Sequence, residues 1–501
     1  MVYNEKNIIV EGYMKIRVIC ILIAALFVLP LAFYGCADKK SGGTDTTGKA
    51  AGTEADITTV TEAEDTTVHD DLPEIKFGGY TYRMLGQGGA GWTASDIIRP
   101  ETLTEDGLND AKLKRYLNIE DRFNITIETF LSETVYTTVQ GAILSNDFSF
   151  DLINMDTYNT STASLAKLLV NLNDLDYIDL SKPYYDQNYI HDMSFAGKLF
   201  SVVTDITTMD MFVTWIMMYN KNIIERNDLE NPYDLVKEDK WTLDKFNSML
   251  KDVSVENGDG KWDEKDTYGF AAHTGSARNL FYAAGLTICS KDEATDIPFL
   301  SLSQNSETLT LVAEKVSDIL YKDNKTLMNT QIVEAFEQGR ALFLAEITGY
   351  LGRFREMEDN FGVVPYPKYN EQQERYYTTN DPCIMVFSLP AFSYKQDQLQ
   401  RSEIIFEALC SESYNTVRPA YYVDVLSGKQ TRDYRDYEML DLIKNSRVYD
   451  FGLFNDLGSI STIFNSLSST KNPKVASMLK SGTKSGEKKL NSILDKYDQI
   501  K

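Results

Sequence analysis

Between Gly78 and Met155 the apolar period of the chain changes four times, and this alternation limits the fold more than any other feature. Gly78 to Leu85 (GGYTYRML) alternates as a strand, and a glycine-rich loop from Gly86 to Gly91 follows it. Leu113, Tyr116, Ile119 and Phe123 then recur at helical spacing. Ile125, Ile127 and Phe130 alternate again, and Val135, Val139 and Ile143 mark a second helix. Phe150 to Met155 reads as a third, more buried strand. Strand, helix, strand, helix, strand predicts a parallel, doubly wound α/β unit. Right-handed crossovers then put every strand C-end on one edge.

A second region has the same ingredients in a less regular order. Trp215 to Tyr219 is strand-like, and Thr242 caps a helix through Phe246, Met249, Leu250 and Val253. Ala341 to Ala345, Phe361 to Pro365 and Cys383 to Leu389 are further strands, and the chain from Ser402 onward is mostly helical. A length of 501 residues with 43% hydrophobic residues supports two or three lobes with real cores. A net charge of −24 excludes nucleic acid as a partner, because phosphates demand Lys and Arg, and it also argues against binding an anionic membrane surface.

The N-terminus reads as an address. Lys15 and Arg17 precede an apolar run from Val18 to Phe33 that closes on Gly35-Cys36. A positive start, an apolar middle and a small residue at the cut describe a secretory signal over residues 1–36. The run is marginal for a membrane span, which needs roughly 20 apolar residues. Gly35-Cys36 resembles a bacterial lipobox, in which Cys36 becomes lipidated and holds the chain at the membrane. Ordinary cleavage nearby would instead give a free secreted protein. Residues 37–72, rich in Thr, Gly, Ala, Asp and Glu, read as a flexible tether. Cys289, Cys383 and Cys410 have no motif spacing and read as buried thiols, with one disulfide left open.

An ordered series of short segments carries a family resemblance: Asn109-Asp110-Ala111, Phe150 to Ile153, Gly197 to Phe200, Tyr219-Asn220-Lys221, Asn231 to Val236, Lys240-Trp241-Thr242, Phe336 to Phe343 and Phe361 to Lys368. The series resembles the family 1 extracellular solute-binding proteins, the maltose-binding-protein-like substrate-binding lipoproteins of ABC transporters. The resemblance implies an α/β, two-lobe, type II periplasmic-binding-protein-like fold with discontinuous lobes and a hinge. Residues 73–205 and 333–370 are expected to form lobe 1, and residues 206–332 and 371–501 lobe 2. The implied function is capture of a carbohydrate between the lobes by a monomer and delivery to permease subunits. A surface glycan-binding or glycoside-hydrolysing lipoprotein is the alternative, as is a binding protein for peptides or another small solute.

In such sheets ligands sit beyond the strand C-ends, where loops vary freely and helix N-termini point inward. That rule selects Gln87 and Trp92 after the first strand and Asp156, Thr157 and Tyr158 after the third. Asp156 stands where the resembled family often has an acid that bonds sugar hydroxyls, but a short acid there also suits a helix N-cap. By position Tyr350 resembles a stacking aromatic of that family, with packing under a helix as the other reading. Trp92, in a loop without apolar pattern, favours binding. Asp205 lies near the first expected crossing as a cleft residue or a turn acid, and Asn380 lies near the last. Trp215 reads as core and Trp241 as a packing residue before its helix.

Asn257, Asp259, Asp263 and Asp266 resemble an EF-hand-like calcium loop, in which alternate oxygen ligands surround a glycine turn. Val255 occupies the first ligand position, and a Gly-Asp turn is the competing reading. Any such calcium is expected to be structural, and no other cofactor is implied. His69, His191 and His273 are the only histidines, and no two have metal-ligand spacing. No nucleophile elbow or phosphate loop occurs, so no catalytic residue is assigned and a binding protein is expected rather than an enzyme.

Overall fold

The computed structural model describes residues 67–426 and 434–499. The predicted βαβαβ unit is present: β1 (Tyr80–Gln87), α1 (Gly107–Phe123), β2 (Ile125–Ser132), α2 (Val135–Ser145), β3 (Leu152–Asp156) and α3 (Thr157–Leu165). Sequence signals set these boundaries. Asp106 caps α1 by accepting from the Asn109 amide, and Asn124 ends it in the left-handed conformation. Leu113, Tyr116, Ile119 and Phe123 form the buried stripe of α1.

Five more strands of the two main sheets follow: β4 (Trp215–Asn220), β5 (Tyr268–Ala271), β6 (Thr326–Leu327), β7 (Ala341–Ile347) and β8 (Phe361–Val364), with β9 (Met385–Ser388) beyond them. The first sheet has the order β9-β3-β1-β2, in which β1 is parallel to both neighbours and β9 is antiparallel to β3. The second has the order β8-β4-β7-β5-β6. In it Trp215 pairs with Ile347 across antiparallel strands and Phe270 pairs with Phe343 across parallel ones. Helix α4 (Leu243–Val253) packs on β5, and α5 (Ser306–Tyr321) packs on α4. Helix α6 (Gln396–Leu426) packs along α1, α7 (Tyr434–Asn445) packs on β8, and α8 (Val475–Asp498) contacts both α5 and α3.

The sheets correct the expected lobe boundaries. β7 and β8 lie in the same sheet as β4, although residues 333–370 were assigned to lobe 1. β9 joins the first sheet, although residues 371–501 were assigned to lobe 2. The reason is physical: an apolar strand signals burial, not its partner, and pairing across hundreds of residues is decided by which register buries both faces.

The tether reading is also shortened. Val68 donates to Asn415 Oδ1 at 3.0 Å and its carbonyl accepts from Ser411 and Asn415. Asp70 pairs with Arg122, and Asp71 with Lys182. The chain is thus fastened from Val68 onward. The signal segment, Cys36 and the tether up to residue 66 lie outside the described residues.

Candidate functional site

β7 and β5 run parallel, so their C-ends reach the same edge, where antiparallel β4 begins. Three loops meet there, and a cavity of about 170 Å³ opens among Trp215, His273, Glu346, Tyr350 and Asp381. The polar groups in it are held in fixed roles. His273 Nδ1 accepts from the amides of Gly275 and Ser276 at 3.0 and 3.3 Å. That leaves the proton on Nε2, which lies 3.2 Å from Glu346 Oε1. Glu346 Oε2 accepts from the Ile347 amide at 3.1 Å. Glu346 is 5% exposed, so its remaining lone pairs have only the cavity to serve. The Trp215 ring stands edge-on to His273 with centroids 5.6 Å apart, and its indole N–H has no partner. Tyr350 supplies a half-buried ring, whose hydroxyl pKa is raised by burial.

Asp381 extends this edge toward the first sheet. It pairs with Arg278 at 3.4 Å and accepts from the Cys383 amide at 3.1 Å. Tyr158, at the start of α3, is 40% exposed. Burial, with Cys383, Arg278 and Asp381 nearby, sets its pKa at about 12, so it is a neutral donor. Burial and then Asp381 push the Cys383 thiol up to about 12 as well, which leaves it unreactive. The crevice is thus two acceptors, several fixed donors and three rings. Such a set can orient a neutral hydroxylated solute while a ring covers its apolar face.

The structure distributes the remaining candidates differently. Asp156 is the N-cap of α3, accepting from the Asn159 amide at 2.7 Å. Its other oxygen accepts from Gln87 Nε2 at 2.9 Å, while Gln87 Oε1 takes Asp156 N and Asn159 Nδ2. Gln87 and Asp156 therefore brace each other. Thr157 is buried and donates to the Pro382 carbonyl at 2.6 Å. Trp92 lies in a 3₁₀ turn, and its side chain is outside the described residues. Asn380 is fully buried, donating to Asp210 O and accepting from Thr214, so it ties crossing segments together and presents no group to a solute. Asp205 lines a separate cavity of about 420 Å³. Trp215 is buried in the core, as read, and also lines the cavity, whereas Trp241 is buried with its N–H on Pro365 O as packing requires.

His273, Glu346, Arg278 and Asp381 escaped sequence reasoning. One signal was available: Glu346 is an acid inside the otherwise apolar run ALFLAEI. In the 257–266 loop, Asp266 is fully buried and accepts from the amides of Asn257 and Asp263. Asp259 and Asp263 likewise accept from Lys261 and Lys265 amides, and no cluster of three or more His, Cys, Asp or Glu suited to a metal occurs among the described residues. Cys289, Cys383 and Cys410 are free thiols. A concavity of about 930 Å³ is an open groove between α5 and residues 471–477, away from the strand ends.

No curated protein matches the chain. Solved structures share its fold. The maltose/maltodextrin-binding domain of Bdellovibrio bacteriovorus bound to maltotriose has a TM-score of 0.51 at 12% identity, covering 82% of this chain and 100% of that one. A cyclo/maltodextrin-binding protein complexed with maltotetraose scores 0.54 at 13%, covering 83% and 98%. A sugar transporter of Rhizobium etli in an open conformation scores 0.54 at 14%, covering 82% and 99%. The shared fold is the two-lobed type II architecture of periplasmic solute-binding proteins. Residues 116–405, more than half of the chain, match the bacterial extracellular solute-binding protein family, and the chain belongs to that family.

Proposed function

We propose that the protein captures a carbohydrate in the crevice at the strand ends and delivers it to the permease of an ABC importer. The observation that carries this reading is the Glu346–His273 pair set between the rings of Trp215 and Tyr350. A buried, oriented carboxylate accepts from sugar hydroxyls, and the flat faces cover C–H surface. The cavity of about 170 Å³ is smaller than the roughly 300–1,000 Å³ of a full ligand pocket, which suits one ring seated there and the rest of the solute extending toward Tyr158. The relatives holding maltotriose and maltotetraose support an oligosaccharide. No residue is given a catalytic role, and the solute leaves unchanged.

The signal layout supports a lipid anchor at Cys36 on the extracellular face. Calorimetry with maltotriose, maltotetraose and other oligosaccharides, and with short peptides as controls, tests the binding reading. A saturable heat with one sugar series is expected. Tyr350→Ala, through lost ring contact, and Glu346→Gln, in line with roughly 1.5–3 kcal/mol for a charge-assisted hydrogen bond, are each expected to weaken it by about 10- to 100-fold. Binding of peptides alone, or slow cleavage of the sugar while bound, would overturn it.

A further inference from the structure

The cavity of about 420 Å³ that Asp205 lines is separate from the crevice and falls within the range of ligand pockets. Its charged lining divides into two groups. Arg447 is spent on protein contacts, paired with Asp210 at 2.8 Å and also with Asp186. Tyr184 and Tyr185 both donate to Glu407. The other group faces the cavity without direct partners. Asp205 is 5% exposed, and among the described residues neither it nor Lys444 makes a side-chain hydrogen bond or an ion pair. Arg418 lies over the Tyr414 ring at 4.8 Å and likewise has no ion pair. Burial, with Arg418 and Arg447 nearby, lowers the Lys444 pKa against the opposing pull of Asp205.

Buried charges are ordinarily paired, and an unpaired one is costly. Two cations thus share one carboxylate across the cavity, none of the three in direct contact, and this arrangement defines the complementary occupant. A phosphate meets the cations but sets its charge against Asp205. A neutral sugar leaves the surplus positive charge unmet. Two carboxylates and one ammonium on a small frame meet all three at once.

We propose that this cavity is a second binding site, for an acidic amino acid whose carboxylates meet Arg418 and Lys444 and whose ammonium meets Asp205. The walls come from both halves of the molecule: α6, which carries Arg418, packs along α1, and α7, which carries Lys444, packs on β8. An occupant that binds both walls favours one setting of the hinge over others.

Titration calorimetry of the whole protein with L-glutamate tests this, with glycine and inorganic phosphate as controls. Saturable glutamate binding is expected, with weaker binding of both controls. Arg418→Gln and Asp205→Asn are each expected to weaken it by about tenfold or more, and Glu346→Gln in the crevice is expected to leave it intact. If Asp205→Asn fails to fold in a circular-dichroism melt, Lys444→Gln carries the same expectation. No saturable heat with glutamate, phosphate binding as tightly as glutamate, or glutamate binding lost in Glu346→Gln but kept in Arg418→Gln would each overturn the proposal. Sugar binding at the crevice is a separate measurement and stands or falls independently.

Discussion

Asp156 and Glu346 show what separates a structural acid from the one proposed to bind solute. Both follow or end a strand, and both are short of solvent. Asp156 has its oxygens taken by a helix amide and by Gln87, while Glu346 is held by one amide and one imidazole with the cavity beside it. A carboxylate has about four acceptor positions, so the number left over decides its role. Glu407 is a third case. It is fully buried, takes the hydroxyls of Tyr184 and Tyr185 and the Asp179 amide, and burial raises its pKa from 4.5 to about 7. Between those values the folded chain binds the proton more tightly than the unfolded chain does. Its contribution to stability is therefore greatest below about 4.5 and is lost as the pH rises through about 7. Asp450, raised by burial to about 6, acts in the same direction. Glu407→Gln, which cannot ionise, is expected to flatten the fall of the urea midpoint with rising pH across that window. Wild-type and variant curves of equal slope would show that the carboxyl is not held neutral.

Among the elements, β5 and α4 approach each other closely beside the site. A Cβ on Gly269 would lie 2.4 Å from Leu250 Cα and 2.5 Å from its carbonyl oxygen, so strand and helix touch backbone to backbone. Gly269→Ala must move one from the other, and overpacking of this kind costs about 1–3 kcal/mol. The denaturant midpoint should fall accordingly. Because His273 stands two residues beyond the end of β5, solute affinity should fall with it. Lys251→Ala, exposed on α4, should change neither.

At the level of the whole molecule, the chain passes between the sheets through a densely bonded junction. Asn380 bonds Asp210 O and Thr214, and Thr348 donates to the carbonyls of Met211 and Phe212. Thr207 and Thr208 reach Asp96, which also pairs with Lys112 and whose carboxyl is held at about 2: these bonds outweigh the opposing effect of burial. These hydrogen bonds tie the crossing segments to one another. The receptor proposed above would also have to stay near the permease it feeds. Cys36→Ala is therefore expected to shift the protein from the membrane fraction to the medium, and a variant that stayed membrane-bound would count against the lipid anchor.

The amino-acid sequence by itself determined the elements and one half of the fold. Period and capping are local properties, so β1, α1, β2, α2 and β3 were legible from Tyr82, Tyr116, Ile127, Val139 and Ile153 and their spacing. The ordered short segments carried the family. Tertiary structure alone decided that β7 and β8 pair with β4 and that β9 crosses back to β3, because hydrogen bonding between strands is blind to sequence separation. It also decided which acids are free. Asp156, Asn380 and Asp205 read alike as polar residues near strand ends or crossings, but only their neighbours, brought in from 69 to 170 positions away for the first two, reveal braces in Asp156 and Asn380 and, in Asp205, a carboxylate that faces a cavity with two cations across it. Lone pairs are used up by contacts, and contacts are made by the folded chain.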